Sequence, residues 1–172
     1  MKLLKDVLVV DDEPLMREAL DLSLRGEFKV VKACSGVEAL ELSENQVFPV
    51  VVLDLRMEGL DGIATLKKLR EKNEHQKIII LTAHQSMDSA IQAINLGAHG
   101  YMTKPCDFRE LRSVLSKAHD RYFEEQARTD ELKKRLVEMH DDLFSLLCHE
   151  FNTPLNGIIG FSSILRDELE DE

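Results

Sequence analysis

Paired cysteines are missing from this 172-residue chain. Cys34, Cys106 and Cys148 are odd in number, far apart and without a CxxC pair. That excludes a disulfide framework or a zinc site and points to reduced thiols in a cytosolic protein. No apolar run approaches the roughly 20 residues that a membrane-spanning helix needs. The opening MKLLKDVLVVDDE is too short and too soon acidic for a secretory signal. There is no Walker-type glycine loop and no helix-turn-helix pattern. Positive charge is scarce in the second part: residues 119–172 hold 6 Lys/Arg against 14 Asp/Glu, whereas residues 1–118 hold 16 against 18. An acidic tail repels phosphate backbones, so no nucleic-acid partner is expected, and a solvated helix surface is the default reading of the excess.

What is present suits a soluble domain with an extension: 44% hydrophobic and 31% charged residues. Through residue 118, short β-type runs alternate with helical patterns. The strand candidates are 6–11, 28–33, 49–54, 77–82 and 99–104, several continuously apolar and β-branched, as in strands buried on both faces of a parallel sheet. Helical patterns lie near 14–25, 36–45, 61–72 and 86–96, and another opens near Asp107. Glycines 36, 59, 62, 97 and 100 punctuate the joints. Five βα units in a row predict an α/β fold with a five-stranded, doubly wound parallel sheet.

Beyond Asp107 little breaks the helical pattern before Pro154. Leu115, Ala118, Tyr122, Glu125, Thr129, Leu132, Leu136, Met139, Leu143 and Leu146 alternate at spacings of three and four. This heptad seam, weak at Glu125 and Thr129, predicts a parallel two-stranded coiled coil and hence a homodimer. A lone amphipathic helix packed back on the first domain is the other reading.

Asp11 and Asp12 follow the first strand, Asp54 ends the third, Thr82 ends the fourth and Lys104 follows the fifth. A parallel sheet gathers all five at its carboxyl edge. Clustered carboxylates call for a cation, and a hard one with oxygen ligands such as Mg²⁺ fits. One carboxylate could then attack a phosphoryl group, with Lys104 and the Thr82 hydroxyl holding the phosphoryl oxygens. Singly, each has a blander reading, as a helix N-cap or a solvated lysine.

VLVVDDEP, VVVLDLRMEGLDG, IIILTAH and GYMTKP resemble, in order and spacing, the motifs of the response-regulator receiver domain, over residues 1 to about 122. The resemblance implies a flavodoxin-like receiver fold, with Asp54 as phosphoacceptor. It implies Mg²⁺ ligation by Asp11, Asp12, Asp54 and the backbone carbonyl of Arg56. Thr82 and Lys104 would contact the phosphoryl group, Tyr101 would be the switch aromatic, and the Lys104–Pro105 bond is often cis in such domains. One departure concerns the loop that commonly reads M-P-x-M-D-G. Here it reads Met57, Glu58, Gly59, Leu60, Asp61, Gly62, so Glu58 brings negative charge and backbone freedom where proline is usual. Arg56 and His84 flank the expected line of water attack and would tune hydrolysis; two plain surface side chains are the alternative.

HEFNTPLNGIIGF resembles the H-box of histidine kinases, the first helix of their dimerisation and phosphoacceptor domain. The resemblance makes His149 the phosphorylated histidine, Glu150 the adjacent acid, Thr153 the residue that orients water one turn on, and Pro154 the helix-bending proline. The chemistry agrees: imidazole is a neutral nucleophile near pH 7, a neighbouring carboxylate can act as base, and residues four apart share a helix face. His75, His99, His119 and His140 lack such context and read as surface or packing residues.

The expected organisation is a receiver (1–122), a helical linker (123–145) and a partial kinase phosphoacceptor helix (146–172). A continuous helix from Asp107 to His149 would be roughly 60 Å long at about 1.5 Å per residue, which makes the receiver an input and not a partner of its own His149. The expected function is two-component phosphorelay signalling in the cytoplasm. A histidine kinase or phosphotransfer protein would be the donor, a downstream receiver a further partner, and the chain the amino-terminal part of a hybrid kinase. A non-catalytic dimeric adaptor is the alternative. A Mg²⁺-dependent phosphatase of the haloacid-dehalogenase type is remote, because Arg56 stands where that class needs a second acid.

Overall fold

The computed structural model describes the backbone of residues 4–57, 59, 61–83 and 86–170, with side chains through residue 144 and at Leu147. Glu58 and His84 lie outside the described residues, as do the side chains of His149, Glu150 and Thr153.

Five strands, β1 (Lys5–Val10), β2 (Phe28–Ala33), β3 (Val50–Leu53), β4 (Lys77–Thr82) and β5 (Gly100–Thr103), alternate with α1 (Pro14–Leu24), α2 (Gly36–Asn45), α3 (Gly62–Lys72), α4 (Met87–Asn95) and α5 (Phe108–Glu170). All strand pairs are parallel, in the order β2-β1-β3-β4-β5. The pleat sends alternate residues to opposite faces. Leu8, Val10, Val51, Leu53, Ile78 and Ile80 pack with Ala39, Leu66, Leu69 and Ala93 of α2, α3 and α4. Val7, Val9, Val50, Val52, Ile79 and Leu81 pack with Leu20 and Leu24 of α1 and with Leu111, Leu115 and Ala118 of α5. This is the doubly wound α/β fold, and the continuous apolar runs exist because both faces are covered.

Local chemistry starts each helix. Pro14 opens α1, where its missing N–H would have no partner. Ser35 caps α2 by accepting from the Glu38 amide, and Glu38 in turn accepts from the Cys34 amide at 2.6 Å. Asp61 caps α3 through the Ile63 amide, and Ser86 caps α4. Gly62 is sterically required: a Cβ there would run into the backbone of Asp54 and Leu55, since α3 starts directly against the end of β3.

The chain divides into two compact units, residues 1–126 and 127–172. The expected coiled-coil seam needs correction here. Leu115 and Ala118 are fully buried and Tyr122 is 7% exposed, all within the first unit. Glu125 pairs with Lys77 at 2.5 Å and with Arg121 at 3.0 Å. These positions serve the domain's own packing, as the alternative of a helix packed back on the first domain required. Only from Leu132 onward does the stripe lie open: Leu132, Leu136, Met139 and Leu143 are all more than half exposed. Among the described residues, no helix is long and apolar enough to cross a membrane.

Candidate functional site

The strand order reverses between β1 and β3, since β2 lies on one side of β1 and β3 on the other. In open α/β sheets the crevice forms at the carboxyl ends of such a pair. Asp11 is the first residue past β1 and Asp54 the first past β3, each held by a sheet-type hydrogen bond. The Asp11 amide donates to Ala33 O at 3.2 Å and the Asp54 amide to Val10 O at 2.9 Å. The acids therefore stand one residue beyond the ladders, not inside the strands that the apolar runs suggested.

Asp11, Asp12, Glu13, Asp54, Arg56, Thr82, Ala83 and Lys104 line one open cleft of about 370 Å³. Asp11, Asp54 and Thr82 are nearly buried, at 2%, 6% and 1% exposure. Lys104 is set beside Thr82 by its amide, which donates to Thr82 O at 2.9 Å, and the Lys104–Pro105 peptide is cis. The Lys104 ammonium bridges the two buried carboxylates, 2.6 Å from Asp11 Oδ2 and 2.5 Å from Asp54 Oδ2. The remaining carboxylate oxygens accept backbone amides: Glu13 N donates to Asp11 Oδ1 and Arg56 N to Asp54 Oδ1, both at 3.0 Å. Tyr101 pairs with Ile80 in the sheet, two residues before Thr82, and packs half-buried on the core under α2, α3 and α4.

Burial pushes the Asp11 carboxyl above its usual range, against hydrogen bonds from Lys104 and Glu13, and the Asp54 charge adds to the rise. Burial also works against the Lys104 ammonium, but its hydrogen bonds to Asp11 and Asp54 outweigh that and its pKa is raised.

The donors facing the cleft are hard oxygens, which fits Mg²⁺. Among the described residues no three acids are gathered closely enough to ring a metal unaided. Mg²⁺ does not need such a cage, because it takes one or two carboxylates and keeps several waters. The open cleft leaves room for those waters, and each carboxylate oxygen with one donor retains a lone pair.

Glu13 and Arg17 escaped the sequence reading. Glu13 lines the cleft and its amide holds Asp11, while Arg17 Nη1 donates to the Asp11 backbone carbonyl at 2.5 Å. Glu13 could have been flagged, since it directly continues the acidic pair. Nothing in the spacing singles out Arg17, whose contact depends on how α1 returns over the turn.

Fold and cleft together define a flavodoxin-like α/β domain with an acidic pair, a hydroxyl and a lysine at its switch point. Residues 7–116 match the response regulator receiver domain, and residues 139–172 match the His Kinase A (phospho-acceptor) domain. The chain belongs to the response regulator receiver family, and the two matches together place it in two-component signalling.

The chain is 43% identical over 114 residues to the transcriptional regulatory protein ZraR of Escherichia coli (strain K12), covering 66% of this chain and 26% of that one. It is 35% identical over 162 residues to the DNA-binding transcriptional regulator NtrC of the same organism, covering 94% and 31%. It thus spans only about a quarter to a third of the curated relatives it matches. Among solved structures, a CheY-like receiver domain protein from Methanospirillum hungatei JF-1 superposes with a TM-score of 0.69 at 27% identity, covering 72% of this chain and 99% of that one. A receiver domain protein from Clostridium thermocellum gives 0.65 at 31%, covering 69% and 96%. Receiver domains are generally Mg²⁺-dependent.

Proposed function

We propose that Asp54 accepts a phosphoryl group from a histidine kinase or phosphotransfer protein, and that the receiver so modified controls the phosphoacceptor helix bearing His149. The observation that carries this reading is the Lys104 ammonium bridging Asp11 and Asp54 at the floor of an open cleft. A carboxylate oxygen of Asp54 attacks phosphorus, forming the Oδ–P bond as the donor's bond to phosphorus breaks. Lys104, already 2.5 Å from Asp54, is placed to follow the charge onto the phosphoryl oxygens, with the Thr82 hydroxyl as a directed donor. Asp11, Asp12, Asp54 and the Arg56 carbonyl would hold Mg²⁺, which supplies positive charge to the phosphoryl oxygens. Tyr101, on the strand beside Thr82, would respond to a shift of Thr82 as the switch aromatic.

In this reading residues 1–122 are the receiver, 123–145 the linker and 146–172 the phosphoacceptor helix, with Glu150 and Thr153 serving His149. The open stripe from Leu132 to Leu143 is the surface on which two linkers pair in a parallel homodimer, and phosphorylation changes that pairing. The chain acts in the cytoplasm as part of a hybrid kinase, with a downstream receiver as a further partner. The test is labelling by acetyl phosphate in Mg²⁺, comparing the unsubstituted protein with Asp54→Asn. Loss of labelling in the variant is expected, and equal labelling of both refutes the assignment.

A further inference from the structure

The turn that carries the acidic pair is closed from behind by one side chain. Asp11 lies one residue past Val10, the last ladder partner of β1, so its carbonyl has no place in the sheet. The residue is only 2% exposed, and a buried carbonyl needs a partner. Arg17, on the first turn of α1, supplies it: Nη1 donates to Asp11 O at 2.5 Å, a charge-assisted bond. The Arg17 amide meanwhile donates to Glu13 O at 3.2 Å, and the Glu13 amide to Asp11 Oδ1 at 3.0 Å. Backbone and side chain of Arg17 thus grip both ends of the segment Asp11-Asp12-Glu13.

Arg17 does not line the cleft. Its guanidinium acts from outside it, on the backbone carbonyl of Asp11, without taking the place of a cation among the carboxylates. The guanidinium also bears on the neighbouring β2–α2 turn. Glu38 is held below the usual carboxylate range by hydrogen bonds from the Cys34 side chain and backbone, and the charge of Arg17 adds to this.

We propose that Arg17 is the positioning residue of the cation-binding turn, holding Asp11 and Asp12 in the arrangement that takes Mg²⁺. This rests on the reading of the cleft as a Mg²⁺-dependent phosphoacceptor site. The test uses the full chain with Arg17→Gln and Arg17→Lys. Mg²⁺ binding is measured by calorimetry, acetyl phosphate labelling is followed as a function of Mg²⁺, and urea unfolding is recorded in EDTA. Outer residues that orient metal ligands change affinity by about tenfold or more when removed. Arg17→Gln is expected to raise both the Mg²⁺ dissociation constant and the half-saturating Mg²⁺ by about tenfold. Labelling at saturating Mg²⁺ should stay within about twofold, and Arg17→Lys, which keeps a charged donor, should recover most of the affinity.

Unchanged Mg²⁺ affinity in Arg17→Gln overturns the proposal. So does a weakened affinity that tracks a lowered urea midpoint and is not recovered by lysine, since that is a merely structural role. If the unsubstituted protein binds Mg²⁺ but is labelled equally with and without Asp54, the phosphoacceptor reading fails and the positioning role is judged on Mg²⁺ affinity alone.

Discussion

Replacing Lys104 by methionine keeps the length of the side chain and removes its charge. Its ammonium bridges two carboxylates whose side chains are 3% and 7% exposed, and is itself only 12% exposed. Removing one partner of a buried pair costs about 3–5 kcal/mol, because the other charge is left uncompensated. The two contacts share one ammonium and the cleft admits water, so about 3 kcal/mol is the reasonable total. With an m-value of about 2 kcal/mol/M, the urea midpoint should fall by about 1.5 M at pH 7.5 in EDTA, followed by far-ultraviolet circular dichroism.

The pH dependence follows from the signs. Lys104 has a raised pKa, so its contribution is whole below 10.5 and is lost only as pH rises through the higher folded value. Asp11 is raised from 3.8, so its ionised form is a penalty, complete above its folded pKa and absent once it is protonated. The deficit of Lys104→Met should therefore shrink as pH falls through the raised pKa of Asp11, whose protonated carboxyl no longer needs the ammonium. Added Mg²⁺ should recover part of it at pH 7.5. A midpoint shift below about 0.3 M, or a deficit equal at pH 7.5 and pH 4, would refute the account of Lys104 as the neutralising bridge.

Asp11→Asn removes a carboxyl that burial disfavours, so it should raise the urea midpoint in EDTA while weakening Mg²⁺ binding in calorimetry. Gly62→Ala forces a Cβ into the Asp54–Leu55 backbone and should cost about 3 kcal/mol or prevent folding, read by the same unfolding curve. Leu115→Ala empties a fully buried site and should cost about 2–5 kcal/mol. Leu136→Ala, at an exposed site, should change unfolding of the receiver by less than about 0.5 kcal/mol yet lower the dimer fraction in sedimentation; no change in association would argue against the linker seam.

Much of the fold was legible because its local and global requirements coincide. The runs at 28–33 and 77–82 match β2 and β4 residue for residue; β4 is buried along its whole length and so needs a nearly unbroken apolar run, whereas β2, at the sheet edge, carries Lys29 and Lys32 among its apolar residues. At 6–11 and 49–54 the readings ran past the ladders into Asp11 and Asp54. Those acids belong to the cleft, whose floor begins where pairing stops. The candidate set Asp11, Asp12, Asp54, Thr82 and Lys104 could be assembled because a parallel sheet brings all its carboxyl ends to one edge, so position in the strand already implies proximity.

Three features were beyond the reach of pattern. A spacing of three and four marks an apolar helix face but not what covers it. Leu115, Ala118 and Tyr122 look like Leu132, Leu136 and Met139 in sequence, yet only the first three are buried in the receiver's own packing. The necessity of Gly62 depends on how near α3 starts to the end of β3, a distance between elements. The grip of Arg17 on the Asp11 carbonyl depends on the path of α1 over the turn. Sequence alone determined the strands, the helices and the chemistry gathered at the sheet edge, because periodicity and strand-end position are local properties. Tertiary structure alone decided which apolar face is core, where a side chain cannot be tolerated and which cation holds the acidic turn, because each is a contact between segments whose spacing the chain does not encode locally.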